Sequence, residues 1–136
     1  MIESVDSLHL AKALSHECEK RAVEVDVLLQ VNIGKEETKG GFYEEDVLEA
    51  MKRVAELPRL QIRGLMAIPP RSSGTLYFQK MQELFLLCKE LKIERAECSV
   101  LSMGMSDDYK EAIAYGSTQI RLGRAIFGER PAVKPL

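Results

Sequence analysis

Strand-like and helix-like segments alternate along the whole chain, and this alternation constrains the fold more than any other feature. Short apolar, β-branched runs such as 25–31 and 60–68 are each followed by a segment with apolar residues at three- and four-residue spacing. No hairpin signal such as Asn-Gly joins two strand-like runs. Repeated strand–helix–strand units bring parallel strands side by side. We therefore predict an α/β protein with a parallel sheet.

Five segments have the composition of strands in such a sheet. The second of them, 25–31, is nearly continuous in apolar residues, as strands covered on both faces are. Pro69 and Pro70 end the third strand, because proline has no amide to donate to a ladder. The predicted strands are 1–5, 25–31, 60–68, 98–101 and 118–122.

The helices between the strands are predicted from buried stripes and from residues that start or stop a helix. Asp6 or Ser7 is suited to cap the first helix, and Ser106 is suited to cap the fourth. Pro58 ends the second, and Gly116 supplies the left-handed residue that ends the fourth. The predicted helices run to about residue 21, between Gly41 and Pro58, from about 76 to 91, from 106 to 115, and for a short turn near 123.

Two architectures share this alternation. A doubly wound sheet usually has a glycine-rich turn after its first strand, whereas Val5-Asp6-Ser7-Leu8 contains no glycine. A (β/α)8 barrel often binds phosphate at the loops after its last two strands, together with a short helix. Because 136 residues are too few for a barrel of about 250 residues, we predict a single domain, 1–136, with the fold of a partial (β/α)8 TIM-type barrel.

Two loops near the C-terminus carry the residues best suited to hold an anion. Residues 102–108 (SMGMSDD) follow the fourth predicted strand, and residues 121–128 (RLGRAIFG) begin at the end of the fifth. Hydroxyl groups, glycine amides and a helix N-terminus can converge there on one phosphate. Turn chemistry alone is the alternative explanation for Ser102 and Gly104, and helix capping is the alternative for Ser106.

Composition argues against several functional classes. The chain has 19 Lys and Arg against 21 Asp and Glu, without a basic stripe interleaved with aromatics, so we expect no nucleic-acid binding. It has neither a membrane-spanning apolar run nor the pattern of a signal peptide, so we expect a cytoplasmic protein. Cys18, Cys88 and Cys98 lack metal or disulfide spacing and are predicted to be buried. His9 and His16 lack a third ligand, so we expect no metal site.

Six segments together resemble the pyridoxal phosphate homeostasis protein family, which has the N-terminal barrel of alanine racemase. In the family's order, they are Ser4–Ser7, Leu29–Asn32, Lys39 with Gly41-Phe42, Arg63–Pro69, Ser102–Asp108 and Arg121–Gly128. The resemblance implies that this chain is the C-terminal portion of the barrel, roughly strands four to eight. The first three strands would be absent, either by truncation or because they come from elsewhere. The family's Schiff-base lysine would be absent with them, and Lys39 does not take that role.

The resemblance also implies a site for pyridoxal 5'-phosphate. Ser102 would offer its hydroxyl to the phosphate, together with the amides of Met103, Gly123 and Arg124. Arg121 would face the pyridine nitrogen, and a guanidinium that only donates makes the ring a weaker electron sink. Family members often have a small hydroxyl residue where this chain has Arg124. The implied cofactor-binding residues are Ser102, Met103, Gly104, Arg121, Gly123 and Arg124.

Three functions from different classes fit these features. The first is a protein of intracellular cofactor homeostasis that binds pyridoxal phosphate weakly and noncovalently, without turnover. The second is an alanine-racemase-like enzyme, which needs two opposed acid/base groups that this chain does not supply. The third is a non-binding remnant or interaction module whose exposed sheet edges recruit a partner. We favour the first, which is not an enzyme, and we expect the open edges to cause self-association.

Overall fold

Four parallel strands form one sheet in a computed structural model that describes residues 1–71 and 73–132. The strands are β1 (Ile2–Val5), β2 (Val25–Val31), β3 (Leu60–Ala67) and β4 (Ala96–Ser102). The helices are α1 (Leu8–Arg21), α2 (Val47–Ala55), α3 (Leu76–Glu90), α4 (Tyr109–Ala114) and α5 (Arg124–Phe127), with a 3-10 turn at Glu44–Asp46. The predicted α/β fold with a parallel sheet is confirmed. Residues 72 and 133–136 of the predicted domain lie outside the described residues.

The strand order follows the chain order, β1-β2-β3-β4. Because parallel crossovers share one hand, helices that join successive strands in this order all lie on the same face of the sheet. A doubly wound sheet reverses its strand order and places helices on both faces. The observed order is therefore that of a barrel wall, and the predicted partial barrel is confirmed.

The two faces of the sheet have different surroundings. Alternate strand residues such as Val27, Leu29 and Leu65 join the helices in one hydrophobic core. Leu28 and Met66 are also buried but lie outside that core cluster. Because successive side chains of a strand alternate between faces, these two residues belong to the opposite, concave face. The candidate functional residues lie on this concave face and at the edge of the sheet where the carboxyl ends of the strands meet.

The prediction of a fifth strand at 118–122 is wrong. Only one bridge, between Ser102 and Gln119, joins this segment to β4. Thr118 Oγ1 accepts the amide of Leu101 at 2.9 Å, and Ser117 Oγ donates to the carbonyl of Met103 at 2.7 Å. These hydroxyls take part in the pairing beside a few backbone hydrogen bonds, such as that from Gln119 to the carbonyl of Leu101, so the ladder is irregular. The segment still runs beside β4, so it occupies the place of the next barrel strand.

Several local predictions are confirmed. Ser7 caps α1 by accepting the amide of Leu10 at 3.1 Å. Gly116 follows α4 with a φ of +86°, the left-handed conformation that glycine adopts without strain. The three cysteines are free and buried. None of the helices in the described residues combines the length and the apolar character that a membrane crossing requires.

Candidate functional site

The two anion-binding loops predicted from the sequence contact each other beyond the end of β4. The amide of Arg121 donates to the carbonyl of Gly104 at 2.9 Å. The guanidinium of Arg124 donates to the carboxylate of Asp107 at 2.5 Å. The segments 102–108 and 121–128 therefore form one structural unit, as their spacing predicted.

Ser106 joins the two loops in a way that the sequence did not predict. The expectation that it caps α4 is wrong, because Asp108 holds the N-cap position of that helix. Ser106 Oγ instead accepts the amide of Ala125 in the first turn of α5, at 3.1 Å. The side chain of Asp108 accepts the amide of Met105 at 2.8 Å, which holds the turn between them. The hydroxyl thus secures the first turn of α5 against the loop 102–108.

Arg121 is half-buried at the centre of the site. One terminal nitrogen donates to Ser102 Oγ at 2.6 Å, and the other donates to the carbonyl of Ala67 at 3.0 Å. Burial lowers the pKa of Arg121, while the negative charges of Glu3 and Asp108 counteract that fall. Arginine nevertheless stays protonated in proteins. Because a guanidinium has five N–H donors, these two hydrogen bonds leave further donors for a ligand.

Ser102 is completely buried, and other protein groups already engage its hydroxyl. It accepts from Arg121 and donates to Glu3 Oε2 at 3.4 Å. The other carboxylate oxygen of Glu3 accepts from the side chain of Gln119. Sequence reasoning missed both Glu3 and Gln119. The available signal was an acidic residue inside the strand-like run Met1–Val5.

Of the backbone positions predicted to contact phosphate, some already have protein partners and others do not. The prediction that the Met103 amide is a free donor is wrong, because this amide donates to the carbonyl of Gln119 at 3.2 Å. Gly104 has a structural role, since a Cβ there would lie 2.6 Å from the Cβ of Ala112 and its φ is +97°. A Cβ on Gly123 would meet nothing within 4 Å. Within residues 1–71 and 73–132, no acceptor engages the amide of Gly123 or Arg124.

Lys39 lies at the same edge of the sheet, in the loop after β2. Its amine pairs with the carboxylate of Glu36 at 2.6 Å and donates to the carbonyl of Ile68 at 3.2 Å. Asn32 is buried beneath this loop and donates to the carbonyls of Glu36 and Lys39. The small cavity here, of about 130 Å³, is lined by Gln30, Val31, Asn32, Lys39, Gly40 and Ile68. These contacts hold Lys39 as part of the loop structure.

A family comparison agrees with this arrangement. The family model described as "Alanine racemase, N-terminal domain" matches residues 1–131. The chain belongs to this family. Its barrel-type domain accounts for the parallel sheet with helices on one face and for the paired loops at the end of β4.

Individual members of the alanine racemase N-terminal domain family resemble this chain closely. The pyridoxal phosphate homeostasis protein of Escherichia coli is 41% identical over 128 residues, which cover 93% of this chain and 55% of that protein. PipY of Synechococcus elongatus with pyridoxal phosphate bound matches with a TM-score of 0.80 and 30% identity. Its structure without pyridoxal phosphate has a TM-score of 0.84, and each match covers 93% of this chain and 60% of PipY. The resemblance to pyridoxal phosphate homeostasis proteins is thus confirmed. The chain spans a little more than half the length of the curated relatives it matches.

Proposed function

We propose that this chain binds pyridoxal 5'-phosphate through the phosphate group, as part of a cytoplasmic protein of cofactor homeostasis. The observation that carries the proposal is the open position at Gly123. There, two amides without protein acceptors lie beside unfilled space and next to Arg121. Backbone amides at the start of a helical turn are suitable ligands for phosphate. PipY, a relative with 30% identity, binds this cofactor.

The contacts of each residue support a division of roles in the proposed site. The amides of Gly123 and Arg124 receive the phosphate, while the Arg124 guanidinium is already paired with the carboxylates of Asp107 and Glu129. The remaining donors of Arg121 face the pyridine nitrogen. Ser102 contacts Arg121 directly, and Gly104 gives the loop its close approach to α4. Pyridoxal phosphate itself supplies an electron-withdrawing ring and an aldehyde, and the chain's residues bind and orient it.

Binding without turnover is the second part of the proposal. The carboxylate of Glu3 is hydrogen-bonded to Gln119, and that of Asp108 is hydrogen-bonded to the Met105 amide. These contacts assign both carboxylates a role in holding the loops and strands of the site. An arginine that faces the ring nitrogen keeps this nitrogen unprotonated and weakens the ring as an electron sink. The described residues are thus suited to holding the cofactor and poorly suited to racemisation.

A titration with pyridoxal phosphate, followed by absorbance, tests cofactor binding. We expect weak binding that inorganic phosphate displaces, and no covalent adduct in the mass spectrum after borohydride reduction. An adduct on one lysine would contradict noncovalent binding. A titration without any spectral change or competition would instead favour a non-binding remnant.

Self-association through the sheet edge is a separate proposal that rests on β1. Within the described residues, β1 pairs only with β2, so its outer edge has no neighbouring strand. Such edges present unpaired backbone groups to other chains. Phe127, which is 85% exposed, adds apolar surface near the end of the described chain. We expect light scattering to show a mass that rises with concentration, and a constant monomer mass would contradict this.

A further inference from the structure

Glu3 lies in the bulged part of β1, on the concave face of the sheet. Ile2 pairs with Val27 and Val5 pairs with Leu29, so three steps along β1 match two along β2. Ile2 and Val5 both pack in or against the helix-side core. A bulge of this kind changes the direction of the side chains between the paired positions. Glu3 follows the helix-side Ile2 and so lies on the concave face, and the extra residue of the bulge returns Val5 to the helix side.

The carboxylate of Glu3 connects β1 to the far side of the sheet. It accepts the Gln119 side chain with one oxygen and the hydroxyl of Ser102 with the other. Ser102 has a single hydroxyl proton, and Arg121 donates to its oxygen at 2.6 Å. The proton of Ser102 must therefore point away from Arg121, and Glu3 is the acceptor that it reaches. This produces a directed chain of hydrogen bonds from Arg121 through Ser102 to Glu3.

The charges around Arg121 support the same role for Glu3 as these hydrogen bonds do. The guanidinium of Arg121 is half-buried, and its two direct partners, Ser102 Oγ and the carbonyl of Ala67, are neutral. A buried cation needs negative charge nearby to offset its loss of hydration. Glu3 and Asp108 provide that charge. Only Glu3 also fixes the geometry of Arg121, through the hydroxyl that they share.

We propose that Glu3 is a positioning residue of the cofactor site, acting through Ser102 to hold the Arg121 guanidinium toward the ring of the ligand. The inference rests on the proposed function and changes one of its assignments. Ser102 serves Arg121 and Glu3 rather than the phosphate, which is left to the amides of Gly123 and Arg124. Recognition of the ring then depends on Glu3, whereas recognition of phosphate does not.

Two ligands separate this role from that of a purely structural brace. If Glu3 only braces the sheet, its loss weakens pyridoxal phosphate and inorganic phosphate equally. If Glu3 positions Arg121, Glu3→Gln weakens pyridoxal phosphate about tenfold and changes the affinity for inorganic phosphate by less than about twofold. Calorimetric titration measures both affinities, and a thermal melt reports folding of each variant.

Ser102→Ala and the double variant complete the test. Because both residues act in one chain of hydrogen bonds, Glu3→Gln combined with Ser102→Ala should weaken pyridoxal phosphate no more than either alone. Glu97→Gln is the matched control, since it changes an exposed acid at the start of β4. We expect it to alter neither affinity. Equal losses for the two ligands, unchanged binding of pyridoxal phosphate in Glu3→Gln, or additive effects of Glu3 and Ser102 would each overturn the inference.

An NMR measurement without ligand separates this inference from the proposed function. We expect the Arg121 guanidinium of the full chain to show restricted rotation, seen as separate terminal N–H signals. Glu3→Gln should merge them, and Glu97→Gln should not. Unchanged signals in Glu3→Gln would refute the positioning role, whatever the chain binds. Absence of cofactor binding by the unaltered chain would refute the proposed function, and the NMR result would still decide the role of Glu3.

Discussion

An arginine lies at each end of the concave face, and the two have different partners. Arg63, on β3, pairs with the carboxylate of Asp26 at 3.0 Å and with that of Glu97 at 3.2 Å. Arg121, beyond β4, has a hydroxyl and a carbonyl as its direct partners. Both guanidinium groups are partly buried, so desolvation affects both. They differ in whether a carboxylate neutralises the charge directly.

This difference is why the proposed site is placed by its unsatisfied donors rather than by cavity size. The larger cavity, of about 580 Å³, lies at the Arg63 end and is lined by Met1, Glu24, Val25, Asp26, Gln61 and Arg63. Its arginine is already paired with carboxylates, and its other ionisable side chains, those of Glu24 and Asp26, are acidic. At the opposite end, the positive charge of Arg121 and the open amides beside Gly123 leave interactions for an anion to complete.

The largest expected effect comes from replacing Gly64, which lies in β3 between the two ends of the concave face. A Cβ on Gly64 would lie 1.8 Å from the carbonyl oxygen of Val100, and Gly64 has a φ of +144°. We expect Gly64→Ala to lower the free energy of unfolding by about 4 kcal/mol or more, because β3 and β4 must separate. Urea denaturation measures this loss. A stable variant would mean that the close pairing between the ends is not required.

Replacing the two arginines tests the comparison directly. We expect Arg121→Ala to weaken pyridoxal phosphate binding by about 30- to 100-fold, the value of about one charged hydrogen bond. Arg63→Ala should leave that affinity within about twofold, because its charge is already neutralised on the surface. Titration of both variants gives the two ratios. Equal losses would remove the distinction between the ends.

A glycine pair on either side of α5 sharpens the location of the phosphate. Gly123→Ala places a methyl group in the open space beside the free amides, and we expect about tenfold weaker phosphate binding with little change in stability. Gly128→Ala is the control, because its φ of +77° costs about 1 kcal/mol of stability without reaching the site. Unchanged phosphate affinity in Gly123→Ala would place the anion elsewhere.

The smallest effect concerns the thiols of the helix-covered core. Their labelling rate should not change when the arginine at either end of the concave face is replaced. Burial raises the pKa of Cys88 to about 12 and that of Cys98 to about 11. Each folded pKa exceeds the unfolded value, so the stability that depends on neutral thiols is fully present below about pH 8.5. It is lost as the pH rises toward the folded pKa values. We expect slow labelling by a disulfide reagent at pH 8 in the native chain and fast labelling in urea. Arg121→Ala and Arg63→Ala should label equally slowly, and rapid labelling of either would show that its end supports the core.

Short-range features were predictable because their partners are close in the sequence. Ser7 needs only an amide three residues along the chain, and Pro69 stops a strand through its own missing amide. Gly116 ends a helix through its own backbone freedom. The positions of both anion-binding loops followed from the order of strands, since successive parallel strands end at the same edge. The resemblance placed the same loops in a known family.

Features that depend on distant residues were missed or misassigned. Ser106 looks like a helix cap in the sequence, but its partner is an amide 19 residues away. Thr118 has the composition of a strand residue, yet its hydroxyl accepts an amide from β4. The amide of Met103 was expected to be free, and Gln119 engages it. In each case a hydrogen-bonding group has more than one candidate partner, and local sequence does not decide between them.

By itself, the sequence determined the alternation of strands and helices, the parallel order and the positions of the two loops that form the proposed site. These depend on apolar periodicity and on residues that start or stop elements locally. The tertiary structure alone decided which donors are engaged and which stay free. Glu3 meets Ser102 and Gln119, which lie 99 and 116 residues away, because the bulged and curved sheet brings its two edges together. Such contacts arise from the shape of the whole sheet, so no local pattern in the chain encodes them.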